Sequence, residues 1–186
     1  MAKIYIDQGH NPINPNAGAE GNGYREQDLV YEIGQETAAL LQAAGQEVRL
    51  SRPTADTQLG TSNASSLATR VNDANSWGAD YFISLHANAS DITTASGSEA
   101  YVFRRGGEAE SLAESILSEL SFVTGLPDRG VFVRPTLYVL RRTQMPATLI
   151  ELGFITNPVD ATLMAEEPWL FATGVANGIL DYLGAV

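Results

Sequence analysis

Residues 81–88 read Tyr81-Phe82-Ile83-Ser84-Leu85-His86-Ala87-Asn88. Large apolar and aromatic side chains dominate the first five positions, the mark of a short buried strand. Ala79 and Asp80 lead into it and Asn88 to Asp91 lead out. His86 stands where the apolar character stops. Two other stretches repeat this plan: Lys3-Ile4-Tyr5-Ile6-Asp7 runs into Gln8-Gly9-His10, and Ala147-Thr148-Leu149-Ile150 runs into Glu151-Leu152-Gly153. Three apolar strands thus each deliver an ionisable residue at or just past the carboxyl end. In open α/β sheets, ligands bind in the crevice outside those ends. The chain has only two histidines, and both lie there.

Between these strands the chain alternates. Helical spacing is read over 25–44, closed by Gly45, over 64–77, closed by Gly78, and over 108–124 and 168–183, with a short helix opening at Asn157-Pro158. Further strands are read over 47–51 and 99–103, and 137–140 suits a short one. Segments 8–23 and 125–136 read as loops, rich in Gly, Pro and polar residues. The expectation is a single α/β domain over residues 1–186. It has a mostly parallel, twisted sheet of about six strands, helices on both faces and a metal site at the carboxyl ends of the strands.

Composition narrows the function. A net charge of −11 argues against nucleic acid or an anionic membrane as partner. With no cysteine, any metal must be held by nitrogen and oxygen. No apolar run reaches the roughly 20 residues of a spanning helix. No signal segment precedes Ile4, so the expectation is either an excised domain or a lysin exported without a cleaved signal.

His10 could simply be exposed, and His86 could be a core histidine bonded to a backbone carbonyl. Their shared sheet edge makes a metal the stronger reading of the pair. Glu26 opens the helix entered from strand one, where an acid also suits the helix dipole, but that helix begins at the same edge. His10, Glu26 and His86 together have the composition of a catalytic zinc site with one position left for water. Asp28, about 200° around the helix, is the competitor to Glu26. Glu151 interrupts a buried strand. A carboxylate there needs an arginine such as Arg141 or Arg142, a metal or a polar cavity, and the functional reading is a general base. There is neither a G-x-S-x-G elbow nor a phosphate loop, and Gly21-Asn22-Gly23 is only a weak dinucleotide signal. Tyr24, Tyr101, Phe132 and Tyr138 could line a groove, with core packing the default for most.

Four segments in order resemble zinc-dependent N-acetylmuramoyl-L-alanine amidases, the peptidoglycan amidases of autolysins, spore enzymes and phage endolysins. They are Ile6-Asp7-Gln8-Gly9-His10, Tyr24-Arg25-Glu26-Gln27-Asp28-Leu29, Ser84-Leu85-His86-Ala87-Asn88 and Pro146-Ala147-Thr148-Leu149-Ile150-Glu151-Leu152-Gly153-Phe154. The resemblance runs from about residue 3 to 183. One departure is Asn11-Pro12-Ile13-Asn14-Pro15, where the family often has glycines. The resemblance implies one zinc ion per chain on His10, Glu26 and His86, with Glu151 as catalytic base. It implies hydrolysis of the amide between N-acetylmuramic acid and the L-alanine of the stem peptide. The expected partner is peptidoglycan, acted on by a monomer at the bacterial cell wall, with targeting left to a further domain or a partner protein. The competing readings are a zinc peptidase of free peptides, holding a terminal carboxylate with Arg104, Arg105 or Arg134, and a binding module with a degenerate site.

Overall fold

The computed structural model describes residues 1–185. Its elements in order are β1 (Lys3–Gln8), β2 (Glu20–Gly21), β3 (Tyr24–Arg25), α1 (Glu26–Ala43), β4 (Glu47–Leu50), α2 (Asn63–Trp77), β5 (Tyr81–Asn88), β6 (Ser98–Val102), α3 (Glu108–Thr124), β7 (Asp128–Val133), α4 (Tyr138–Arg142), β8 (Ala147–Phe154), α5 (Pro158–Glu166) and α6 (Pro168–Tyr182). Six strands form one sheet in the order β4-β1-β5-β8-β6-β7. All neighbours are parallel except β6 and β8.

Alternation along the strands sorts the core onto two faces. Ile4, Ile6, Ile83, Leu85, Ala100, Val102, Ile150 and Leu152 point to one side, where α1, α3 and α6 cover them. Where α3 crosses α6 the backbones nearly touch: a Cβ on Gly178 would lie 2.4 Å from Ile116 Cα. On the other side Tyr5, Phe82, Ala147 and Leu149 pack under α2 and α4, against Val71, Ala74, Val139 and Leu140. That second layer is short. It covers β1, β5 and β8 and leaves Tyr101 of β6 half-buried and Phe132 of β7 exposed.

Three expectations are corrected. Segment 8–23 is not all loop: Gln8 completes β1, and Glu20–Gly21 pairs with Tyr24–Arg25 as a small antiparallel hairpin through the Asn22-Gly23 turn. That pair is a turn signal, with both residues at positive φ. Segment 125–136 contains β7, an edge strand parallel to β6. Its six residues bury only Val131, so no apolar run announces it. Residues 137–140 are not a strand. Tyr138–Arg142 form a helical turn, because the chain there crosses over the sheet, and burying Val139 and Leu140 together under α2 suits a helix.

A candidate metal centre and its carboxylate neighbour

β1 ends in Asp7 and Gln8, and the chain turns at Gly9. A Cβ on Gly9 would stand 2.6 Å from His86 Cε1 and 2.7 Å from the Leu85 carbonyl oxygen, so glycine is what lets the two histidines approach. His10 follows at φ 64°, a left-handed backbone that costs a non-glycine residue energy. Arg70 of α2 holds that turn. It is 1% exposed and donates from Nη1 to Asp7 Oδ1 and to the Gln8 carbonyl, both at 2.6 Å, and from Nη2 to the His10 carbonyl. Ser84 Oγ donates to Asp7 Oδ2 at 2.7 Å. Burial by itself would raise the Asp7 pKa, but the Arg70 charge and these hydrogen bonds hold it below the usual carboxylate range.

Glu26, the first residue of α1, is 4% exposed. Its Oε2 accepts from the Ala19 amide and its Oε1 from the Ala87 amide, at 2.9 and 3.1 Å. The hairpin and the end of β5 thus aim the carboxylate. His86 Nδ1 lies 2.9 Å and His10 Nε2 3.1 Å from Oε1. Burial opposes the charge of Glu26, yet hydrogen bonds from the two histidines outweigh it and drive its pKa far down. One donor atom each from His10, Glu26 and His86 lies within 4.8 Å of the others. Two imidazoles and an ionised carboxylate converging this closely are a donor set that could hold a divalent ion. Asp28 points away and pairs with Arg25 at 3.5 Å.

Glu151 lies on β8 directly across from His86 of β5 and Glu99 of β6. Its Oε2 is shielded and has no hydrogen-bond partner. It makes no ion pair among the described residues; Arg141 and Arg142 are exposed elsewhere. Burial first, then the charges of Glu26 and Glu99, push its pKa well above the ordinary value.

A second cluster escaped the sequence reading. Glu99 accepts from Asn88 Nδ2 at 2.9 Å, from Arg129 Nε at 2.8 Å and from the Tyr101 hydroxyl. Burial works against the charge of Glu99, but these donors hold its pKa low. Only the antiparallel pairing of β6 beside β8 brings it to Glu151, and no local pattern announces that pairing. Arg70 escaped for the same reason, although an arginine within an apolar helical stripe is a signal of a buried partner. Tyr138 borders a cavity of about 130 Å³ beside His10 and His86, walled by Leu67, Leu137, Val139 and Leu149. Tyr24 packs on the core. Arg105 pairs with Glu110, and Arg134 lies over Tyr101.

The family model of N-acetylmuramoyl-L-alanine amidases matches residues 4–181. The chain is 36% identical over 183 residues to N-acetylmuramoyl-L-alanine amidase LytC of Bacillus subtilis, covering 96% of this chain but 35% of that one. It is 36% identical over 184 residues to the sporulation-specific N-acetylmuramoyl-L-alanine amidase of the same organism, covering 96% and 67%. It therefore spans about a third of the one and two thirds of the other. Among solved structures, an N-acetylmuramoyl-L-alanine amidase from Clostridium difficile 630 superposes with a TM-score of 0.87 at 31% identity, covering 98% of this chain and 97% of that one. The catalytic domain of CwlV from Paenibacillus polymyxa gives 0.86 at 29%, covering all of both chains.

Proposed function

Because the chain belongs to the N-acetylmuramoyl-L-alanine amidase family, we propose that it hydrolyses the amide joining N-acetylmuramic acid to the L-alanine of peptidoglycan stem peptides. The observation that carries this reading is the juxtaposition of a His10-Glu26-His86 donor set with a carboxylate on the neighbouring strand whose shielded Oε2 has no hydrogen-bond partner. We take residues 1–186 as one catalytic domain working as a monomer on the cell wall, with targeting supplied by a further domain or partner.

His10, Glu26 and His86 would hold one zinc ion, which supplies a Lewis acid for the scissile carbonyl and lowers the pKa of a water toward neutrality. Glu151 does the proton work. As the water oxygen adds to the amide carbon, the Glu151 carboxylate takes a proton from it. When the C–N bond breaks, Glu151 returns that proton to the leaving nitrogen, so a carboxylic acid and a free amine result. A pKa raised by burial suits a group that must both accept and donate. Arg70 and Asp7 keep the His10 turn in place, and the Ala19 and Ala87 amides keep Glu26 aimed.

The test is product mass from defined muropeptides, with simple peptides alongside. Release of intact stem peptide, lost on chelation and restored by zinc, is the expected result. Cleavage of simple peptides with the muramoyl amide left intact would assign the site to a peptidase instead.

A further inference from the structure

Unpaired arginines gather at one place on this acidic protein. Arg25, Arg49, Arg105 and Arg129 each meet an Asp or Glu. The exposed Arg104, Arg134, Arg141 and Arg142 form no ion pair among the described residues. The net charge of the chain is −11. These four flank the part of the sheet that α2 and α4 leave open: Arg104 follows β6, Arg134 follows β7, and Arg141 and Arg142 end α4.

Arg134 is the one joined to the candidate site. Its backbone amide donates to the Val102 carbonyl at 2.9 Å. Its guanidinium carbon sits 5.1 Å over the Tyr101 ring. The Tyr101 ring lies 6.4 Å from that of Phe132, and its hydroxyl donates to Glu99, the cross-strand neighbour of Glu151. An aromatic shelf therefore leads from Glu151 to a guanidinium that meets no acidic side chain and makes one long hydrogen bond, from Nη1 to the Val133 carbonyl at 3.4 Å. A guanidinium lying on a ring keeps its fork open for a carboxylate, whereas Arg129 is committed to Glu99. The guanidinium rests over Tyr101, two residues along β6 from Glu99, an advance of roughly 7 Å, which an extended peptide covers in about two residues.

We propose that the open face of β6 and β7 seats the leaving peptide, and that Arg134 binds a free carboxylate of that peptide two or three residues beyond the scissile amide. This rests on the amidase reading and adds a specificity to it.

The experiment uses the zinc-loaded chain and two synthetic muramoyl peptides. They are identical except that the side-chain and α-carboxylates of stem residues two and three are free in one and amidated in the other. The wild type is expected to favour the free acid by about tenfold in kcat/KM, the usual worth of one charge-assisted contact. Arg134→Ala should erase that preference through KM while leaving the amidated peptide within about twofold. Arg134→Lys should keep part of it, and Arg49→Ala, on the far edge of the sheet, all of it. A preference that survives Arg134→Ala, or a variant that slows both peptides alike, would overturn the proposal. Cleavage of neither peptide by the wild type would instead remove the amidase reading, and this proposal with it.

Discussion

At the scale of single residues, two glutamates that both neighbour His86 have opposite electrostatics. Glu26 is kept ionised, against its burial, by its two histidine neighbours, while Glu151 is held toward its neutral form by burial and by like charges. Glu26→Ala should therefore lose zinc and turnover together. Glu151→Gln should keep near-stoichiometric zinc and lose on the order of 10²–10⁴ in rate. Metal analysis beside amide cleavage checks both, and a Glu26 variant that holds zinc normally would reject the ligand role. Stability separates them further. In the metal-free protein the folded pKa of Glu151 lies above its unfolded value. Its favourable contribution is thus complete below the unfolded pKa and is lost as pH rises through the folded one. Metal-free Glu151→Gln should accordingly be no less stable than the wild type at neutral pH. Asp7 has the reverse sign. Its folded pKa lies below the unfolded value, so its contribution is present at neutral pH and lost as pH falls below about 4. Asp7→Asn, which strands the buried Arg70 charge, should cost about 3–5 kcal/mol at pH 7 and flatten the acid limb of a stability–pH curve. A variant unfolding like the wild type would show the pair to be incidental.

At the scale of elements, the contact of α3 with α6 is the tightest joint. The atoms nearest a Cβ on Gly178 are backbone, Ile116 Cα and N and the Ser115 carbonyl, and cannot swing aside. Gly178→Ala should therefore destabilise by about 1–3 kcal/mol or more through overpacking, despite the better helix propensity of alanine. Denaturant midpoints would measure this, with zinc content of the folded fraction unchanged, since the joint lies on the face of the sheet opposite His86. The elements themselves were legible to unequal degrees. β1, β5 and β8 announce themselves because both faces are buried and they read as apolar runs. α3 keeps the bounds that its apolar spacing suggests, from Glu108 to Thr124. β7 and α4 do not, because an edge strand with one buried residue and a five-residue helix carry too little pattern to distinguish them from loop.

At the scale of the whole molecule, the donor set is a small part of a protein with two apolar layers. Chelation should abolish turnover yet leave a cooperatively unfolding protein, unlike a zinc finger. A chelated chain that is already unfolded at ambient temperature would contradict this. No helix among the described residues is long and apolar enough to cross a membrane.

The sequence by itself determined strands β1, β4, β5, β6 and β8, the alternation that makes an α/β sheet, and the delivery of His10, His86, Glu26 and Glu151 toward one sheet edge. Those follow from local patterning, because a buried strand must be apolar and an ionisable residue stands out against it. What only the tertiary structure decided is pairing between distant segments. The antiparallel place of β6 beside β8 sets Glu99 against Glu151, and α2 lying over β1 buries Arg70 against Asp7. The short second layer leaves the Tyr101 and Phe132 shelf uncovered. Such contacts join residues tens of positions apart, and their free energy comes from burial and charge compensation that exist only once the chain has folded.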